Sequence, residues 1–328
     1  MLLDYLCHQF FEWFLSLHAD GGTGSCSGAV TGCSPHDCFL TKRTLQKVCL
    51  HSIGVGLILL VGVLVVFFAG MQTAKSSTTS SSTGPVVFLG DSHTWLGGND
   101  CSCEEGWTFS YCSKFSAEQC RSYARSGATW THTPHTRADE MDSTAVLSDD
   151  NVIYNQILRL RSDVASRRMA SPAYIFILAG TNDAWFSSKR PHRFDVSVDE
   201  AFRMPDSVCL TLPPDSLTAF ALALRYDCLL LQRTFPQARI VLLTPFESTA
   251  FPAGDLRKVA SLIDSCSHRL HTDLVRLDSP SVISAERERR VRTFTTDGTH
   301  TNRAGARRIA DHVARQLMER GQVKRKQL

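Results

Sequence analysis

From Pro85 onward, short runs rich in Val, Ile and Leu alternate with longer amphipathic stretches, and this alternation restricts the fold more than any other feature of the chain. The runs Pro85–Gly90, Ala173–Gly180, Ala238–Thr244 and Asp273–Asp278 are short and apolar, as expected of strands covered on both faces. A weaker strand is expected through Arg121–Arg125. Helical patterns fill Asn151–Val164, Asp215–Thr234, Leu256–His271 and Asn302–Glu319, with Asn302 placed to cap the last. Strands alternating with helices predict a parallel sheet with helices on both faces, whose ligands bind beyond the carboxyl ends of the strands.

The first quarter of the chain reads differently. Ile53–Met71 runs for 19 residues without a charge, close to the ~20 helical residues that cross a hydrocarbon core. No polar stripe interrupts it, so residues 51–71 are expected to form a transmembrane helix or signal-anchor. Lys42, Arg43 and Lys47 precede the run and only Lys75 follows closely, which places the N-terminus in the cytoplasm and the rest outside. A cleaved signal peptide is the alternative, with the domain secreted; the run is longer than the usual signal core. Residues 72–84 are rich in Ser and Thr and read as a flexible linker. Residues 1–50 carry no usable periodicity and receive no function, and residues 321–328 form a basic tail.

A net charge of +3 over 328 residues gives no reason to expect a nucleic-acid partner. Seven cysteines follow the apolar run: Cys101, Cys103, Cys112, Cys120, Cys209, Cys228 and Cys266. Cys101–Cys120 lacks paired C-x₂-C spacing, so one or two disulfides are expected there rather than zinc. Their odd number leaves at least one thiol unpaired.

Four short pieces carry the chemistry: Gly90-Asp91-Ser92-His93, Ser126-Gly127-Ala128, Gly180-Thr181-Asn182-Asp183 and Asp297-Gly298-Thr299-His300. Acyl transfer needs a nucleophile, a base, a group that orients the base, and donors for the oxyanion. Singly, each piece also fits a turn or a helix cap. Jointly, in this order and at these strand ends, they supply one candidate for each role.

The four pieces resemble blocks I, II, III and V of the SGNH hydrolase (GDSL-family) superfamily, over roughly Pro85 to Met318. The G-x-N-D and D-x-x-H blocks are complete, and Asn302-x-x-Gly305 is also typical of the family; block I departs from its usual form in having His93 after the serine. The resemblance implies a three-layer α/β/α, flavodoxin-like fold with about five parallel strands, an SGNH hydrolase domain over residues 85–320, and no metal or organic cofactor. It implies Ser92 as nucleophile, His300 as general base and Asp297 as its orienting carboxylate. It further implies oxyanion donors from the Ser92 and Gly127 peptide N–H groups and the Asn182 amide. Asp91 and Asp183 then tie the loops that carry Ser92 and Asn182.

His93 adjoins the nucleophile, but neighbouring side chains on an extended segment point apart, so it is not expected to pair with Ser92. His132, His135 and His192 are expected at the surface or in a pocket wall. Trp95, Trp130 and Trp185 each follow a catalytic block residue by three positions, and Trp107 lies in the loop after block I. They read either as packing under the loops or as an aromatic rim suited to sugar rings. The leading expectation is an extracytoplasmic esterase acting on O-acetyl groups of carbohydrates. The same fold also serves lipases and lysophospholipases, and the same machinery serves cell-envelope O-acetyltransferases. A dead scaffold that only binds glycans would have lost a catalytic residue, and none is missing.

Overall fold

The computed structural model describes residues 84–114, 119–139, 145–250 and 253–319. The described elements run in the order β1 (Val86–Gly90), α1 (Ser92–Trp95), α2 (Trp107–Cys112), β2 (Cys120–Ser122), α3 (Ile153–Ala165), β3 (Tyr174–Leu178) and α4 (Thr181–Trp185). They continue as α5 (Val198–Ala201), α6 (Asp206–Cys209), α7 (Phe220–Thr234), β4 (Arg239–Leu243), α8 (Ala253–Leu270), β5 (Asp273–Val275), α9 (Ala285–Arg290) and α10 (Arg303–Glu319). The anticipated span at 51–71, residues 1–50, nearly all of the 72–84 linker and the 321–328 tail lie outside the described residues. Among those described, no helix is long and apolar enough to cross a membrane.

The strands form one parallel sheet in the order β2-β1-β3-β4-β5. Its two faces are separated by the period-2 pleat. Val87, Leu89, Ile175, Ile177, Ile240 and Leu242 face one apolar layer, built from α3, α7 and α8. Val86, Phe88, Phe176, Leu178, Val241 and Leu243 face the other, built from α2 and α10. The result is α/β/α, with near-continuous apolar strands because both faces are covered. The last helix shows why this sequence packs: Ala306, Ile309, Ala310, Val313, Ala314 and Leu317 recur at helical spacing and are all buried. Asn302 caps it, its Oδ1 accepting the Gly305 N–H at 3.0 Å.

Several boundaries moved: β5 ends at Val275 rather than Asp278, and α8 begins at Ala253 rather than Leu256. The helix expected from Asp215 begins at Phe220, because Pro214–Ser216 form a separate 3₁₀ turn and Ala219 is extended. The weak strand expected at Arg121–Arg125 is only the three residues of β2, which pair with Val86–Phe88. A disulfide joins Cys112 at the end of α2 to Cys120 at the start of β2. Cys101, Cys103, Cys209, Cys228 and Cys266 remain thiols.

With β1 and β3 adjacent and the chain leaving them in opposite directions along the sheet, the crevice at their carboxyl ends is the topological switch point. Gly90-Asp91-Ser92 and Gly180–Asp183 both emerge there.

Candidate active site

Ser92 opens the one-turn helix α1 directly after β1. Three buried contacts fix that exit. The Asp91 N–H donates to Leu178 O at 3.1 Å. The Gln156 amide grips the Gly90 peptide from α3: its Oε1 accepts the Gly90 N–H at 2.8 Å and its Nε2 donates to the Gly90 carbonyl at 2.8 Å. Asp91 caps α1, its Oδ1 accepting the His93 N–H at 3.1 Å. Gln156 belongs to no motif and its sequence reading is simply helical; only the fold brings it to Gly90.

His300 reaches Ser92 from a turn beyond β5. Its Nε2 lies 3.0 Å from Ser92 Oγ, and its Nδ1 lies 2.7 Å from Asp297 Oδ2. Asp297 also closes the turn, since its Oδ1 accepts the N–H groups of Thr299 at 2.8 Å and His300 at 2.7 Å. Burial would raise the Asp297 carboxyl, but these hydrogen bonds win and hold it at about 2. As a carboxylate it accepts from Nδ1–H, which leaves the Nε2 lone pair to accept the Ser92 hydroxyl proton. The turn rests on the buried Glu288 carboxylate, which accepts the N–H groups of Phe294 (3.1 Å) and Thr295 (2.9 Å).

The Gly127 and Asn182 loops are tied to each other. Asn182 Nδ2 donates to Ala128 O at 3.0 Å, which uses one of its two hydrogens. Asp183 Oδ2 accepts the Trp130 N–H at 3.1 Å, and Oδ1 accepts the Thr131 N–H at 3.0 Å and hydroxyl at 2.6 Å. The peptide N–H groups of Ser92 and Gly127 donate to no acceptor among the described residues. Gly127 has φ +80°, and a Cβ there would stand 2.9 Å from Leu147 Cα, so only glycine suits the position.

His93 does not pair with Ser92, although not for the expected reason. The two share the first turn of a helix rather than an extended segment, and His93 turns inward, its ring 4.5 Å from that of Phe246. Burial, reinforced by the nearby His300, lowers it to about 3, so it is neutral at physiological pH. Burial raises Asp91 to about 7, with the Asp183 carboxylate adding to the effect. His135 and His192 are exposed, whereas His132 is buried, its ring 5.8 Å from that of Tyr154, so it does not stand at the surface alternative.

The tryptophans divide. Trp95 and Trp185 are 42% and 46% exposed. Trp130 is 1% exposed and packs edge-on to Phe220, so it is a core residue and no part of a rim. The physical reason is local backbone: Ser92–Trp95 and Asn182–Trp185 lie within helical turns, where an i,i+3 offset keeps residues on one face. Gly127–Trp130 lies in an irregular turn, where that offset carries no direction. Trp107 is also buried, its Nε1 donating to Thr94 Oγ1 at 3.3 Å. Leu147 and Val146, by contrast, are 53% and 58% exposed beside the Gly127 loop, and nothing in their sequence marked them.

Residues 86–203 match the family model of the GDSL-like lipases/acylhydrolases, a stretch that holds Ser92, Gly127 and Asn182 but ends before Asp297. Similar solved structures include a GDSL-like lipase from Bacteroides ovatus, at 16% identity over 72% of this chain and 98% of that one, with a TM-score of 0.45. Another is an acetyl xylan esterase, at 17% identity over 71% and 99% of the two chains, with a TM-score of 0.43. A third is a lipase/acylhydrolase from Enterococcus faecalis, at 14% identity over 74% and 99%, with a TM-score of 0.43. No curated protein matches the chain. Over residues 86–203 the protein is thus similar to the GDSL-like lipases/acylhydrolases of the SGNH hydrolase superfamily, enzymes that hydrolyse ester bonds.

Proposed function

We propose that Ser92, His300 and Asp297 form the catalytic triad of an extracytoplasmic esterase that removes O-acetyl groups from carbohydrates. The observation that carries the reading is the unbroken hydrogen-bond line from Ser92 Oγ through His300 to the Asp297 carboxylate. His300 Nε2 takes the hydroxyl proton as Oγ bonds to the acyl carbon. The negative charge that develops on the carbonyl oxygen is met by the Ser92 and Gly127 N–H groups and the second Asn182 amide hydrogen. The imidazolium then returns the proton to the departing sugar oxygen, leaving an acyl-Ser92 ester. Water, deprotonated by the same imidazole, hydrolyses that ester and restores the serine.

A fluorophosphonate probe should label the wild type and leave Ser92→Ala unlabelled. Labelling that survives in a folded Ser92→Ala protein would put the nucleophile elsewhere.

What supports a sugar substrate is the exposure of Trp95 and Trp185 beside the nucleophile and the Asn182 loop. Replacing either with Ala should raise KM for an acetylated sugar much more than for p-nitrophenyl acetate. Equal effects on both would remove the sugar reading. A lipid ester is favoured by a different observation, the exposed Val146 and Leu147 at the Gly127 loop. Acetylated xylan, pectin, peptidoglycan and sialic acid, run against short- and long-chain nitrophenyl esters, separate the two: a preference for long chains selects the lipid reading.

What supports export is the uncharged Ile53–Met71 run together with the Cys112–Cys120 disulfide, a bond that persists in oxidising compartments. Membrane tethering belongs to the same proposal, with secretion after cleavage as its alternative.

A further inference from the structure

A short way past α4 the chain buries an arginine that belongs to none of the four motif blocks. Arg190 is only 4% exposed. A guanidinium does not escape burial by losing its proton, so its surroundings must supply opposite charge and acceptors. Three groups do so. Its Nη2 lies 3.8 Å from Asp149 Oδ1, and its Nε donates to the Thr131 carbonyl at 3.3 Å. The Asp183 carboxylate is the third, close enough that each charge favours the ionised form of the other.

Asp183 depends on that charge. It is fully buried, and burial pushes its carboxyl up, towards the protonated form. The Arg190 charge is the largest influence acting against burial, ahead of the hydrogen bonds from Thr131 and Trp130. Both Asp183 oxygens accept: Oδ2 takes the Trp130 N–H, and Oδ1 takes the Thr131 N–H and hydroxyl. A carboxylate completes that set, whereas a protonated carboxyl would turn a hydrogen on one oxygen against a donor. His132, the other titratable side chain beside Arg190, is lowered to about 4 by burial and by the guanidinium, so it adds no charge at neutral pH.

The segment from Ala128 to Thr131 is thus held from α4 and its sequel at every step. Asn182 takes the Ala128 carbonyl, Asp183 takes the Trp130 and Thr131 N–H groups, and Arg190 takes the Thr131 carbonyl. Gly127 immediately precedes this segment, and Asn182 immediately precedes Asp183. What fixes the one pair of neighbours therefore fixes the other.

We propose, on the esterase reading of Ser92, that Arg190 is a positioning residue for the oxyanion donors. It acts through the Asp183 carboxylate and the Thr131 carbonyl to hold the Gly127 N–H and the Asn182 amide where the ester carbonyl oxygen develops its charge. Such donors matter most once Oγ has begun to add, so loss of their positioning falls on kcat and hardly on KM.

Steady-state hydrolysis of p-nitrophenyl acetate by the full-length protein tests it, with Arg190→Gln and Arg190→Lys beside wild type. Arg190→Gln keeps a donor without the charge, and should lower kcat by about 10-fold or more while KM stays within about 2-fold. Arg190→Lys returns a positive charge and should bring kcat back to within about 3-fold of wild type. An equal loss of kcat in both variants, a change confined to KM, or wild-type kcat in Arg190→Gln overturns the proposal. Should Arg190→Gln fail to fold, Asp183→Asn removes the carboxylate through which Arg190 acts and should show the same fall in kcat at constant KM. Wild-type kcat in folded Asp183→Asn overturns the proposal equally. Fluorophosphonate labelling tells the two levels apart. Labelling that persists in folded Ser92→Ala removes the esterase reading and the role of Arg190 together. Labelling confined to Ser92, with wild-type kcat in Arg190→Gln, removes the role of Arg190 alone.

Discussion

Ser92 and the Asp297–His300 turn meet at 3.0 Å, yet the chain holds them by different means. The Ser92 exit is buried and fixed from afar: Gln156 comes from 66 residues away, and Leu178 from the neighbouring strand. The Asp297–His300 turn is half open to solvent, with the Asp297 side chain 55% exposed, and is closed mainly by bonds spanning two or three residues. Its deeper support comes from Glu288, close by in sequence, and from two contacts out of the loop after β4: the Thr249 N–H donates to the Gly298 carbonyl at 2.9 Å and the Ser248 hydroxyl lies 2.7 Å from that of Thr299. Ser92 is therefore positioned by the sheet, His300 mainly by its own loop. Perturbing the first should damage fold and activity together, whereas perturbing the second should damage activity almost alone.

The largest test of that contrast is Asp297→Asn. With the carboxylate gone, the imidazole loses the acceptor that fixes its tautomer, and kcat should fall by about 10³–10⁴. Thermal unfolding should shift by no more than a degree or two, because the side chain is largely exposed; a large fall in Tm would show the turn to be structurally coupled after all.

Gln156→Ala is the counterpart on the serine side. It removes the acceptor for the buried Gly90 N–H, which should destabilise by about 1–3 kcal/mol in denaturant titration. The displaced Ser92 should also cost about 10- to 100-fold in kcat with KM little changed. Full activity in this variant would mean that the strand contacts alone set the serine.

The third test concerns the acid–base balance beneath Ser92. Asp91 has a folded value near 7, above its usual 3.8, because burial penalises the charge. The folded state thus holds this proton more tightly than the unfolded chain, and stability present below about pH 4 is lost as pH rises to about 7. The loss amounts to no more than about 4 kcal/mol, at about 1.4 per unit. Asp91→Asn keeps a helix-capping oxygen and should flatten that pH dependence between 4 and 7. A wild type and variant with parallel stability profiles would place the proton elsewhere.

How much of this was legible beforehand follows the same division. The strands and the four motif blocks are local patterns; β1, β3 and β4 stood within two residues of their expected bounds, while the edge strands β2 and β5 ended three residues early. The Asp297–His300 turn is local too, so its internal bonding was implicit in D-x-x-H spacing. Gln156 was invisible because its role exists only after α3 packs on the sheet. Trp130 was misplaced because distance along the chain says nothing of exposure unless a helix or strand gives it direction.

One consequence of the Asp297 geometry concerns how such a site can change over generations. A single carboxylate both shapes the turn and aims the imidazole, using one oxygen for each task. The pairing of Asp297 with His300 is internal to the turn, so insertions in surface loops other than the Ser248–Thr249 loop that braces it can be tried without separating the two side chains. The serine side offers no such freedom, since any drift in its setting passes through the centre of the sheet. Sequence variation should accordingly accumulate in the loops around His300, while the strand that delivers Ser92 stays still.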